Sequence, residues 1–237
     1  MNRAILFDLD GVLIDSMRCH AQTWRDAIKT QLDIEISENY FLINEGRNTK
    51  DILFELIRTH QIDADNNTWQ KVSDYRDQLF LEAFTPRLVN GAKELVLLLH
   101  GFGYRLGVAT GSTRQVVEEL LSKTGIRDYF SDLVSSEDVQ FSKPHPQPYQ
   151  LLLQHLEVKS EQALVIENAP LGIESAIAAD LICLAVATTN TPDLLAHASN
   201  VFITLDEIGK FLEIEYLRTN GVGVWKFQSI NKESYAH

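Results

Sequence analysis

Short apolar runs and amphipathic stretches alternate through most of the chain. The first run, Ala-Ile-Leu-Phe at residues 4–7, is brief and stops at an acid, the pattern of a parallel strand buried on both faces. Similar runs recur at 104–109, 133–135, 163–166, 181–187 and 201–204. Between them the spacing predicts helices over 91–100, with Leu95, Leu98 and Leu99 on one face, and over 113–123, 148–156 and 171–179. Strands alternating with helices predict an α/β fold, a doubly wound parallel sheet with a Rossmann-like core.

Residues 16–86 break this rhythm. They carry helical periodicity (Trp24, Ala27 and Ile28; Ile52, Leu53, Leu56 and Ile57; Val72, Tyr75 and Leu79) with no strand-like run, and close near Thr85-Pro86 and Asn90-Gly91. The expected division is a core of residues 1–15 and 87–215, a helical insertion at 16–86 and a C-terminal extension at 216–237. That extension places Trp225 and Phe227 among glycines and polar residues without a clear period. It reads as a tail packed on the core or a disordered end.

Composition narrows the function. Of 237 residues, 45% are hydrophobic and 23% charged, enough apolar material for a core. A membrane-crossing helix is not expected, since it needs roughly 20 apolar residues in a row. With 33 acidic and 21 basic side chains the net charge is -12, which argues against nucleic acid or an anionic membrane as partner. On that count alone anionic substrates are disfavoured too. Cys19 and Cys183 form neither a disulfide framework nor a zinc pattern, and Met1-Asn2-Arg3 leads too quickly to Asp8 for a secretory signal. A reducing, cytoplasmic setting follows as the expectation.

Ligand sites of open parallel sheets lie beyond the carboxyl ends of the strands. Polar residues stand at those ends: Asp8 and Asp10 in Asp8-Leu9-Asp10-Gly11, then Thr110-Gly111-Ser112, Lys143-Pro144, and Glu167-Asn168-Ala169-Pro170. Together they supply the parts of phosphoryl transfer. One aspartate can attack phosphorus while the other handles a proton. Lys143 offers positive charge, and Thr110 with the backbone around Gly111 and Ser112 can hold phosphoryl oxygens. Asp8, Glu167 and Asn168 make an oxygen-rich set suited to Mg²⁺. Any one segment alone reads equally well as a solvated loop or a helix cap.

In order and spacing these segments resemble the four motifs of the haloacid dehalogenase-like hydrolase superfamily, over nearly all of residues 1–210. The resemblance implies Asp8 as the nucleophile that becomes an aspartyl-phosphate. Asp10 is implied as the residue that protonates the leaving group and then activates water, its backbone carbonyl on Mg²⁺. Thr110, Lys143 and the Glu167-Asn168 pair complete the set, with Asp8, Asp10, Glu167 and Asn168 about the metal. The insertion is similar to the small helical cap of the beta-phosphoglucomutase-like branch, and His20 and Trp24 match that branch just after the first motif. Two positions depart from the common pattern: Asn168, where a second acid is usual, and Asp180, where glycine often follows the helix after the fourth motif.

Asp10 argues for phosphate chemistry, because dehalogenation has no leaving-group oxygen to protonate. In the insertion, Glu45-Gly46-Arg47-Asn48-Thr49-Lys50 reads as a substrate loop, with Arg47, Lys50 and a later Arg76 available to a phosphate or a sugar hydroxyl. Glu45 is the odd acid there, a partner for Arg47 or a contact to the metal. The expected function is Mg²⁺-dependent hydrolysis of small phosphate esters. Pyrophosphatase and beta-phosphoglucomutase activities are the rivals, and a non-catalytic binding protein is the remote alternative. The expected partner is a small phosphorylated metabolite, and no protein partner is implied.

Overall fold

The structure, a computed structural model, describes residues 3–44, 49–62, 66–219 and Trp225. Six parallel strands form one sheet: β1 (Ala4–Phe7), β2 (Arg105–Ala109), β3 (Asp132–Val134), β4 (Ala163–Glu167), β5 (Ile182–Val186) and β6 (Asn200–Phe202), ordered β3-β2-β1-β4-β5-β6. The first strand is therefore central, with β2 and β4 on either side, which explains why its four residues are all apolar and all buried.

Alternate strand residues feed two cores. Ile5, Phe7, Val108, Ile166 and Leu184 face one side, under α5 (Ala92–Gly101), α6 (Arg114–Lys123) and α9 (Leu205–Thr219). Ala4, Leu6, Val165 and Cys183 face the other, under α7 (Gln147–His155) and α8 (Pro170–Ala178). Helices on both faces of a parallel sheet make it doubly wound.

The predicted helices and strands appear with their ends moved by a residue or two. One element departs more. The segment after β6 is the long helix α9, and the boundary expected after residue 215 falls inside it. Beyond it, Trp225 packs into the core, with the Arg3 guanidinium 4.5 Å above its ring and its indole Nε1 donating to the Gln162 carbonyl at 3.3 Å. The rest of the extension lies outside the described residues. Asp180 takes a left-handed φ of 58° just past α8, a conformation that Asp tolerates better than most residues.

Between β1 and α5 the chain forms α1 (Met17–Leu32), α2 (Glu38–Ile43), α3 (Thr49–His60) and α4 (Asn66–Ala83). These helices bury their own cluster, in which Trp24, Ile28, Phe41, Leu53, Leu56 and Val72 meet. Exit and return run side by side: Asp15 N–H donates to the Arg87 carbonyl and Val89 N–H to the Leu13 carbonyl, both at 3.0 Å. That pairing sets the helical insert over the carboxyl edge of the sheet.

Candidate active site

The end of β1 turns sharply. Leu13 and Ile14 both donate to the Leu9 carbonyl at 2.9 Å, and Gly11 takes a φ of 82°, which only glycine adopts without strain. Asp8 and Asp10 thereby line one cleft that opens to solvent. Thr110, Gly111 and Ser112 border it from the end of β2, and His20, Trp24 and Arg76 border it from the insert.

Two buried networks hold the carboxylates. In the first, the Lys143 ammonium, 1% exposed, donates to Asp8 Oδ1 at 2.6 Å, Glu167 Oε1 at 2.7 Å and the Ala109 carbonyl at 3.1 Å. Burial works to lower the lysine's proton affinity, but Asp8 and Glu167 more than reverse it and hold Lys143 well above the usual lysine range. Burial raises Asp8 to about 7, against the pull of Lys143 and with help from the negative charges of Glu167 and Asp10.

Glu167 is saturated. Its Oε1 accepts from Lys143 and from the Tyr149 hydroxyl at 2.9 Å, and its Oε2 accepts the N–H groups of Asn168 at 2.9 Å and Ala169 at 3.1 Å. Four donors on two oxygens fill a carboxylate's capacity. Glu167 thus faces the lysine and α7 rather than the cleft, a different posture from the direct metal contact expected above. Tyr149 gave no signal in the sequence beyond an apolar helix position. The period-two parity of β4 was the available clue, since Ala163 and Val165 point to the α7 side and Glu167 follows them.

The second network surrounds Asp10. Its Oδ1 accepts from the Ser16 hydroxyl at 2.5 Å and from His20 Nε2 at 2.8 Å, while Oδ2 faces the Ser112 and Thr110 hydroxyls at 3.1 and 3.4 Å. Ser16 stands at the N-cap of α1, yet its side chain caps nothing there; the hydroxyl serves Asp10. His20 and Trp24 follow one and two helical turns later on the same face. Burial again pushes the carboxyl upward, but His20, Ser16 and Ser112 outweigh it and hold Asp10 well below the usual carboxylate range. His20 stacks on Phe80 with centroids 4.1 Å apart, and its Nδ1 meets the Arg76 guanidinium.

The insert reaches the core at a second place, where the Ser142 hydroxyl, beside Lys143, donates to Asp51 on α3. Of the expected substrate loop, Glu45, Gly46 and Arg47 lie outside the described residues, and Lys50 falls in α3 with its side chain outside them as well.

A small hard cation fits the carboxylate oxygens of Asp8 and Asp10 at the cleft, with the buried Asn168 following the neighbouring strand β4. Among the described residues no cluster of three or more His, Cys, Asp or Glu side chains forms an all-protein metal cage. Mg²⁺ does not require one, since it retains several waters. No helix of the described residues is long and apolar enough to cross a membrane.

A strand-end site of this kind, roofed by helices and built on paired aspartates and a buried lysine, suits phosphoryl transfer. The family model described as "Haloacid dehalogenase-like hydrolase" matches residues 5–186, and the chain belongs to that family. Hydrolases of this family generally use a divalent metal. Among curated relatives, a validoxylamine A 7'-phosphate phosphatase of Streptomyces hygroscopicus is 28% identical over 88% of this chain and 96% of that one. The fructose-1-phosphate phosphatase YqaB of Escherichia coli is 30% identical over 75% of this chain and 92% of its own. A solved beta-phosphoglucomutase from Clostridium difficile superposes with a TM-score of 0.82 over 92% of this chain and 98% of that one, and its 19% identity speaks to the fold alone.

Proposed function

We propose that this chain is a phosphoric monoester hydrolase that cleaves small phosphorylated metabolites, using Mg²⁺ and a covalent aspartyl-phosphate on Asp8. One observation carries the reading: Asp8 and Asp10 border the same cleft but are held by different partners, Asp8 by a buried ammonium and Asp10 by hydroxyls and an imidazole. Such a division of partners suits one carboxylate to attack and the other to proton transfer.

Lys143 anchors Asp8 Oδ1, so the carboxylate presents its other oxygen to phosphorus. As the O–P bond to the leaving alcohol breaks, Asp10 gives its proton to that oxygen; it then takes a proton from the water that attacks the aspartyl-phosphate, which releases phosphate and restores Asp8. Phosphoryl oxygens beside Asp10 raise its proton affinity and load it for the first step. Asp8, the Asp10 backbone carbonyl and Asn168 are the residues to hold Mg²⁺. Bound there, the cation withdraws charge from the phosphoryl oxygens and favours the carboxylate form of Asp8.

The insert acts as a cap in this reading. Met17, Trp24, Phe41 and Ile52 give the cleft an apolar wall above the carboxylates. An organic leaving group such as a sugar can use that wall, whereas pyrophosphate, anionic at both ends, cannot. Cytoplasmic location belongs to the same reading, with Cys19 and Cys183 as free thiols. The test is a screen for phosphate release from sugar phosphates, nucleotides and pyrophosphate, with and without Mg²⁺. Metal-dependent release from an organic ester, abolished in Asp8→Asn, is the expected result; equal release by Asp8→Asn overturns it. Conversion of beta-glucose 1-phosphate to glucose 6-phosphate with a bisphosphate primer would favour a mutase instead.

A further inference from the structure

The insert contributes an ion pair to the cleft. On α4 the buried Arg76 guanidinium lies over the Trp24 and Phe80 rings, 5.1 and 5.4 Å from their centroids, and its Nη1 donates to Asp77 Oδ1 at 2.7 Å. Its Nη2 meets His20. Arg76 is thereby fixed, and it fixes Asp77. Asp77 borders the cleft, and its Oδ2 accepts no hydrogen bond among the described residues. Thr113 borders the same cleft from the core, and although it precedes α6 its hydroxyl makes no cap bond there.

A carboxylate only accepts, so the group that meets Asp77 Oδ2 has to donate, which an ionised phosphate cannot do. Arg76 already balances the charge of Asp77, so an uncharged donor suits the pair better than an ammonium. Hydroxyl groups meet that description. Met17, Trp24 and Phe41 border the same cleft and offer an apolar wall to the carbon skeleton that carries them. We propose that Asp77 is a specificity-determining residue that accepts from a hydroxyl of the leaving group, so that the substrates are sugar or polyol monophosphates. This deepens the proposed hydrolase function and rests on it.

The test compares kcat/KM, with Mg²⁺, for two six-carbon esters that differ in their hydroxyls, sorbitol 6-phosphate and n-hexyl phosphate. Wild type is expected to favour the sorbitol ester. In Asp77→Leu that preference is expected to fall roughly ten- to a hundred-fold, the worth of a hydrogen bond to a charged group. Release of Arg76 from its ion pair acts through His20 and lowers both esters alike, so the ratio isolates the hydroxyl contact. Equal rates on the two esters in wild type, or an unchanged ratio in Asp77→Leu, overturns the inference. Should Asp77→Leu not fold, Asp77→Asn keeps the size without the charge and is expected to shift the ratio the same way by roughly five-fold; an unchanged ratio there overturns the inference equally. Wild type that releases phosphate from neither ester nor from p-nitrophenyl phosphate brings down the hydrolase reading itself. Release from p-nitrophenyl phosphate without preference for the sorbitol ester overturns this inference alone.

Discussion

His20 joins Arg76 on the insert to Asp10 at the sheet edge through its two ring nitrogens. A guanidinium only donates, so Nδ1 must accept, and the proton sits on Nε2, where it is donated to Asp10 Oδ1 at 2.8 Å. The bond that closes the insert over the sheet therefore also selects the neutral tautomer that steadies the proposed proton carrier.

Replacing His20 by Ala removes a donor that holds Asp10 low. The Asp10 carboxyl then rises toward its ordinary range and loses the bond that orients it, and kcat is expected to fall roughly ten- to a hundred-fold. A stability signature accompanies it. Burial, the largest cause, lowers His20 below its usual 6.5, so on acidification the unfolded chain takes up a proton that the folded one resists. The His20 contribution to stability is lost as pH falls below 6.5 and is absent from the variant, so through this group their unfolding free energies converge toward acid. Urea melts across that range check it, and a constant difference would speak against the assignment.

Glu167→Gln separates support of Lys143 from metal ligation. The substitution keeps the shape but leaves Lys143 with one carboxylate partner, and its amide nitrogen can no longer accept from the backbone N–H groups or from Lys143 and Tyr149. Breaking a buried ion pair costs about 3–5 kcal/mol, so melting temperature and kcat are expected to fall together. Mg²⁺ affinity, measured by titration, is expected to change far less. A large, selective loss of metal binding would place Glu167 on the metal instead.

Asp8 and Asp10 were legible in the sequence because a central parallel strand must be continuously apolar and its first polar residues must lie at its carboxyl end. The helix α9 was not legible. Leu205, Ile208 and Leu212 face the core, but Ile214 and Leu217 are 57% and 69% exposed, and apolar residues on two faces erase the period. Ser16 and Tyr149 were not legible as site residues, since their bonds to Asp10 and Glu167 come from tertiary folding. The Arg76–His20 contact spans 56 positions, beyond any local pattern.

The raised Asp8 carboxyl gives a pH signature of its own. Its folded value of about 7 stands above the unfolded 3.8, so the folded chain keeps a proton that the unfolded chain releases, and stability is lost as pH rises between those values. Asp8→Asn lacks this loss. Without divalent metal, the variant's stability relative to wild type should grow across that window by something on the order of a few kcal/mol. Added Mg²⁺ should stabilise wild type increasingly toward alkaline pH, since a ligand carboxylate must shed its proton. Thermal melts in chelator and in Mg²⁺ measure both, and a pH-independent difference in chelator would contradict the buried placement of Asp8.

Gly172 shows how closely the lysine network is packed. A Cβ there would lie 1.8 Å from Glu167 Oε1 and 2.1 Å from its Cδ, although the residue sits in α8 at an ordinary helical conformation. Alanine would otherwise favour the helix by about 1 kcal/mol. Here Glu167 has to leave the position where it accepts from Lys143 and Tyr149, and overpacking of this kind costs about 1–3 kcal/mol or more. Gly172→Ala is therefore expected to lower stability and, by unseating Lys143 from Asp8, to lower kcat with little change in KM. A stabilised, fully active Gly172→Ala protein would mean that Glu167 can move without cost, and that the carboxylate does not hold the lysine in place.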